Sequence, residues 1–231
     1  FHQGSSCKVL FTNMAQFKGL YKEDIIAPFI KEISESKIEI YNEFSLQHEL
    51  GHFIRNKYKN ESNDGFKCKV QFERNIKFFN ISQKKVGEKI IKKEIDISVF
   101  RDDGSQVDPE PEIAIELKYP RNGQYPEQMF KFCEDIKFCE QLKISGFKNT
   151  FVMIVVDEKL FYEQPNNKRK SENKIYSYFR DGEKLTGEIE KPTGFIKKDT
   201  IKINGEYTIK WETINEDNNK KHRKYAFIEI Q

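Results

Sequence analysis

Three residues of this chain could do chemistry together: Asp96, Glu116 and Lys118. Glu116 and Lys118 lie in the apolar run Ile113-Ala114-Ile115-Glu116-Leu117-Lys118-Tyr119, and Asp96 lies in Ile95-Asp96-Ile97-Ser98-Val99-Phe100. Both runs alternate and are rich in branched and aromatic residues, so both are expected as strands. Successive side chains of a strand point to opposite faces, which puts Glu116 and Lys118 on the same one. Two carboxylates and an ammonium on neighbouring strands can hold a divalent cation and a water. That is the minimum equipment for hydrolysing a phosphodiester, because the carboxylates offer hard oxygen ligands and the lysine orients the water and meets developing charge.

Placing these residues takes a sheet with helices around it. The stretch 12–36 reads as helical in two pieces, with Pro28 early in the piece that begins near Asp24, where proline is tolerated. Residues 42–58 carry Leu46, Leu50, Phe53 and Ile54 at helical spacing. A turn cluster at 60–65 follows, and the period changes. Residues 66–79 read as one or two strands, 90–100 as a strand and 113–119 as the next. The segment 82–87 is expected as a connection and 101–112, with Asp-Asp-Gly and Asp-Pro-Glu-Pro, as a loop. Residues 125–145 form a long helix striped by Met129, Phe132, Cys133, Ile136 and Cys139, with Gly146 suited to follow its end. The unbroken apolar run at 150–156 is expected as a strand buried on both faces. Helix, three strands, helix, strand is an α/β order.

Beyond 157 the texture is β-rich, with short strands expected at 175–180, 187–189, 200–203, 207–214 and 225–230 and a hairpin turn at Asn204-Gly205. This extension, 161–231, holds 15 Lys and Arg against 12 Asp and Glu, so the net charge of +3 resides there. So small an excess does not diagnose a nucleic-acid partner by itself. The 20 Phe and 10 Tyr point to an aromatic-rich core. No stretch approaches the roughly 20 apolar residues of a membrane span. Cys7, Cys68, Cys133 and Cys139 form no CxxC pair and are expected as free thiols in a reducing compartment, which makes the cytoplasm the expected location. Residues 1–6, Phe1-His2-Gln3-Gly4-Ser5-Ser6, have the composition of an expression-tag remnant, leaving a core at 7–160.

Over residues 42–156 this order and these residues resemble the PD-(D/E)XK nuclease superfamily, which includes restriction endonucleases, Holliday-junction resolvases and DNA-repair nucleases. Asp96 matches the strand aspartate and Glu116-Leu117-Lys118 the acid-x-lysine of the next strand, while Ile95 stands where the motif is written with proline. The resemblance implies a restriction-endonuclease-like α-β-β-β-α-β core, a mixed central sheet flanked by helices; the extension lies outside the resemblance and is expected to pack on the core. It implies an Mg²⁺- or Mn²⁺-dependent nuclease acting on DNA, an endonuclease ahead of an exonuclease, in defence or DNA repair. The cation would be held by Asp96, Glu116, the carbonyl of Leu117 and Glu49 of the first helix. Lys118 would orient or help deprotonate the attacking water, and Gln128 of the second helix would hold the lysine, the water or the scissile strand. RNA stays open as a substrate, and a homodimer would suit cutting both strands of a duplex.

A second motif competes. His48-Glu49-Leu50-Gly51-His52 is HExxH on an expected helix, the signature of zinc proteases. Its third ligand would have to come from Glu61 or Glu73, since His2 lies in the tag-like end and His222 in a charged segment. The protease reading leaves Asp96, Glu116, Lys118 and Gln128 without a task. A third alternative is a non-catalytic nucleic-acid-binding module, with Lys168, Arg169, Lys170, Lys220, Lys221 and Arg223 on phosphates. Trp211, Tyr176, Tyr178 and Phe179 are expected in the core of the extension rather than stacked on bases.

Overall fold

The alternating runs assemble into one mixed sheet. The computed structural model describes residues 21–59, 67–102, 109–121, 123–163, 174–180, 182–192, 199–216 and 222–231. A π-helical turn at Lys22–Ile26 leads into α1 (Ala27–Ser34), with Pro28 in its first turn, and α2 (Glu43–Lys59) follows. Strand β1 (Lys67–Asn75) runs into a 3₁₀ turn at Ile76–Phe79 and a short helix, α3 (Gln83–Val86). Then come β2 (Glu94–Asp102), β3 (Glu110–Lys118), α4 (Tyr125–Ile144) and β4 (Asn149–Val156). The remainder forms α5 (Ile175–Arg180), β5 (Leu185–Glu190), β6 (Thr200–Tyr207), β7 (Glu212–Glu216) and β8 (His222–Ile230).

Six strands lie in the order β1-β2-β3-β4-β8-β7, and β5 pairs with β6 in a separate ribbon. Only the β3–β4 pair of the six-stranded sheet is parallel. Parallel neighbours need a crossover, and α4 is that crossover. Every residue of β4 is buried, as its unbroken apolar run requires.

Each face of the sheet has its own cover. Leu46, Leu50 and Ile54 of α2 pack with α1 against Ile97, Val99, Ile115, Leu117 and Met153. On the other face, α4, α5 and the β5–β6 ribbon cover Val152, Ile154, Ala226 and Ile228. Asn42 starts α2 by accepting the N–H of Ser45 on its side chain at 2.8 Å, while Ser45 Oγ accepts the N–H of Asn42 at 3.0 Å. This reciprocal cap satisfies donors that the first turn leaves open. Gly51 lets α2 approach β1, since a Cβ there would meet the Phe72 ring at 2.0 Å.

Several local expectations are corrected. Residues 175–180 are helical, because Ile175, Tyr178 and Phe179 recur at helical spacing and bury one side against α4; so short an apolar run does not itself separate helix from strand. Asn204 and Gly205 are no hairpin turn but lie inside β6, where both N–H groups donate to the buried carboxylate of Glu140 on α4, at 2.9 and 2.7 Å. The strand expected at 207–214 is divided between the end of β6 and the start of β7. β2 and β3 reach into the expected loop, to Asp102 and from Glu110. Within 161–231, β8 pairs along β4 from Thr150 to Val156, and β7 pairs with β8. Tyr176, Tyr178 and Phe179 are core residues, as expected. The expected turn at 60–65, the helical stretch before 21 and residues 1–6 lie outside the described residues. Cys133 and Cys139 are buried and form no disulfide. Among the described residues no helix is long and apolar enough to cross a membrane.

Candidate active site

The site forms where the β2–β3 ladder opens. Ile97 pairs with Ile115 and Ser98 with Ala114. Continued by one residue, that register sets Asp96 opposite Glu116. There carboxylates take over from carbonyls. The Leu117 N–H donates to Asp96 Oδ2 at 2.7 Å, and the Asp96 N–H donates to Glu116 Oε1 at 3.2 Å. Gln47 of α2 donates to the Asp96 carbonyl and to Glu73 Oε1, both at 2.7 Å. Glu73 lies on β1 between the residues paired with Ile97 and Ile95, at a φ of 47° that costs a non-glycine residue about 1 kcal/mol or more.

The face carrying Glu116 and Lys118 is roofed by α4, and Asp135 comes down from that helix. Asp135 is 2% exposed and Glu116 0%. Lys118 Nζ lies 3.3 Å from Asp135 Oδ2 and 3.4 Å from Glu43 Oε1, and it donates to the Leu117 carbonyl at 3.1 Å. Glu43 also accepts the N–H of Tyr119 at 3.1 Å. A second ammonium, on Lys92 of the connection before β2, donates to Glu116 Oε2 and, at 3.0 Å, to Asp135 Oδ1; Asp96 Oδ1 is 4.0 Å from it.

Four carboxylates thus surround two ammonium groups. Burial pushes Asp96 up to about 6, against the pull of Lys92 and the Leu117 N–H. Burial, with the charge of Asp96 added, holds Glu116 well above the ordinary carboxylate range, and burial likewise raises Asp135 against Lys118 and Lys92. Burial works against a charge on Lys118, but Asp135 and Glu43 outweigh it and raise its pKa, so the ammonium is a donor at neutral pH.

The structure brings Asp96, Glu116, Lys118 and the Leu117 carbonyl together. It does not bring in Glu49, whose carboxylate is turned to His48 Nδ1 at 3.4 Å. Glu43 is the α2 acid that reaches the lysine. Its place was legible: it stands three residues before Leu46 and seven before Leu50, on the core face of the helix. Gln128 is half-buried in the first turn of α4, and its side chain makes no hydrogen bond among the described residues; Gln47 is the glutamine bonded to the Asp96 segment. Asp135 also left a signal, as an acid set between Phe132 and Cys139 on the apolar stripe. Lys92 left none beyond its nearness to Asp96.

His48 and His52 are exposed, with parallel rings 6.4 Å apart, and His52 Nε2 lies 2.9 Å from Asn56 Nδ2. Among the described residues no group of three or more His, Cys, Asp or Glu side chains is arranged to hold a metal ion, and this applies to both motifs. Arg223 is engaged at home, on Asp157 at 2.7 Å and the Ile40 carbonyl at 3.3 Å. Lys168, Arg169, Lys170, Lys220 and Lys221 lie outside the described residues.

Fold and site together define an α/β protein with a mixed central sheet flanked by helices and a buried carboxylate–lysine cluster where two central strands part. Comparison with known protein families, with curated proteins and with solved structures gave no match.

Proposed function

We propose that this protein is a divalent-cation-dependent nuclease of the PD-(D/E)XK type that hydrolyses DNA phosphodiester bonds, as an endonuclease. One observation carries the reading: Asp96 and Glu116 face each other where the ladder opens, with Lys118 in the same buried cluster. The succession α2, β1, β2, β3, α4, β4, broken only by the short α3 between β1 and β2 and with β4 parallel to β3, supports it, being the core order expected of that superfamily.

The residues fit Mg²⁺ or Mn²⁺ in type and in charge. Asp96, Glu116 and Asp135 offer hard oxygens, and Glu116 and Asp135 are buried. With all groups ionised, Glu43, Asp96, Glu116 and Asp135 against Lys92 and Lys118 leave an excess of negative charge. Asp96 and Glu116 would hold the cation, which supplies charge neutralisation and Lewis-acid help at the phosphoryl group. Lys118, kept protonated by Asp135 and Glu43, would donate to a phosphate oxygen or to the attacking water rather than take its proton. Glu43 and Asp135 fix that ammonium from two sides, which is the preorganisation such a donor needs. Cytoplasmic work in defence or repair would suit this activity.

The test is cleavage of duplex DNA, single-stranded DNA and RNA with Mg²⁺ or Mn²⁺. Wild type is expected to cut DNA, and Asp96→Ala and Lys118→Ala to lose about a hundredfold or more in rate while keeping the wild-type circular dichroism. Equal rates in all three proteins would reject the site.

A further inference from the structure

We propose that Lys92 is a place-holding cation: its ammonium occupies the position of the divalent ion among Asp96, Glu116 and Asp135, and the ion enters by displacing it. The proposal rests on the nuclease reading and adds to it a third ligand, Asp135, and a built-in competitor.

Three observations carry it. First, the Lys92 ammonium is where the carboxylates converge, bonded to Glu116 Oε2 and to Asp135 Oδ1 at 3.0 Å and 4.0 Å from Asp96 Oδ1. These are three hard oxygens from β2, β3 and α4 around one positive charge. A small ion needs about 2.1 Å to each ligand, so the carboxylates would have to close in once the ammonium leaves. With the ammonium between them, no group of three or more such side chains among the described residues is arranged to hold a metal ion. Second, the carboxylates that meet at Lys92 are shielded from water: Glu116 is 0% and Asp135 2% exposed, with Asp135 Oδ2 3.3 Å from the Lys118 ammonium. Carboxylates buried in this way need positive charge beside them. Third, Lys92 is the more exposed of the two lysines. It sits on an irregular connection, and 28% of its side chain is exposed, against 14% for Lys118 on β3. The connection stays docked when the side chain swings out, because Gln141 of α4 holds Lys89 O at 2.9 Å and accepts the Ile91 N–H at 3.1 Å.

A place-holder has a clear use. Burying Asp96, Glu116 and Asp135 with no cation nearby would leave like charges unscreened at low dielectric. Lys92 stabilises the metal-free fold and at the same time lowers affinity for the ion.

Calorimetric titration with Mn²⁺ in the absence of DNA tests this on wild type, Lys92→Met, Asp135→Asn and Glu49→Gln. Lys92→Met is expected to bind at least about tenfold more tightly, since a like charge leaves the site. Asp135→Asn should bind more weakly, and Glu49→Gln like wild type. A second measurement needs no variant and so survives any folding defect of Lys92→Met. Wild type is acetylated briefly with and without Mg²⁺, and each lysine is read by mass spectrometry. Lys92 should become several-fold more reactive with Mg²⁺, while Lys137, locked by Glu88 at 2.8 Å, stays unchanged. Binding by wild type with no gain in Lys92→Met and no rise in Lys92 reactivity would overturn the place-holder and leave the nuclease reading standing. No Mn²⁺ binding by any of the four proteins would overturn both.

Discussion

Asp96 carries much of the electrostatic cost of this site, and pH should reveal it. Its pKa is raised to about 6 from an ordinary 3.8, chiefly by burial. A native carboxyl that holds its proton more tightly than the unfolded chain does adds stability that is fully present below the unfolded pKa. That stability is lost as pH rises through the folded pKa. Between pH ~4 and ~6 the metal-free protein should therefore lose roughly 2–3 kcal/mol at this residue. Asn cannot ionise, yet its Oδ1 can still accept the Leu117 N–H. The melting temperature of Asp96→Asn minus that of wild type, without divalent ions, should be small near pH 4 and grow to a clear gain by pH 7. A flat difference across that range would mean that the carboxylate is not strained by its setting. Saturating Mg²⁺ at pH 7 should shrink the gain, because wild type then has a counter-charge that Asn does not need.

Among the elements, α2 has two jobs: it delivers Glu43 and Gln47 to the site, and it packs closely on β1. Gly51 permits the second. In an exposed helix Gly→Ala gains about 1 kcal/mol of propensity. Here the added methyl would meet the Phe72 ring, which is fenced by the parallel imidazole of His48, 6.3 Å away, and by the Arg55 guanidinium at 5.5 Å. Overpacking costs about 1–3 kcal/mol, so it should win. Gly51→Ala is expected to lower the urea midpoint, and Phe72→Ala in the same chain to restore part of the loss. A raised midpoint would show the contact to be soft. Glycine in this HExxH therefore has a packing reason, independent of zinc. Elements of this size were legible in the amino acids: α2, α4 and β4 each bury what their period says they should. Glu116 and Lys118 were legible because strand alternation puts them on one face, and Asp96 because it lies in the neighbouring apolar run. Glu43 and Asp135 left a signal on the apolar faces of their helices, but that they and Lys92 reach the same site was not legible, because two helices and a connection meet only in the folded chain. The misjudged segments failed for a related reason. Ile175–Arg180 is too short for periodicity to decide, and Asn204-Gly205 is held extended by Glu140, a residue on another element.

At the scale of the whole molecule, the question is whether residues 161–231 can be removed from the rest of the chain. β8 covers one edge of β4 along seven paired residues, from Thr150 to Val156. α5 and the β5–β6 ribbon cover the apolar face made by α4 and β4. Cutting after residue 160 would expose Phe132, Val152, Ile154 and Val156, all fully buried in the intact chain. Each such side chain returned to water costs about 1.5–3 kcal/mol. Four of them approach or exceed a whole domain's net stability of about 5–15 kcal/mol. The bared edge of β4 would also offer unpaired N–H and C=O groups to other chains. A chain ending at 160 is therefore expected to aggregate or to lose cooperative unfolding, with a flat near-ultraviolet circular dichroism spectrum. A single sharp urea transition in that shortened chain, at a midpoint near wild type, would instead make the extension a separate domain resting on a self-sufficient core. The site lies on β2, β3 and α4, short of the cut, so it would be lost through the sheet that aims it rather than through any residue removed.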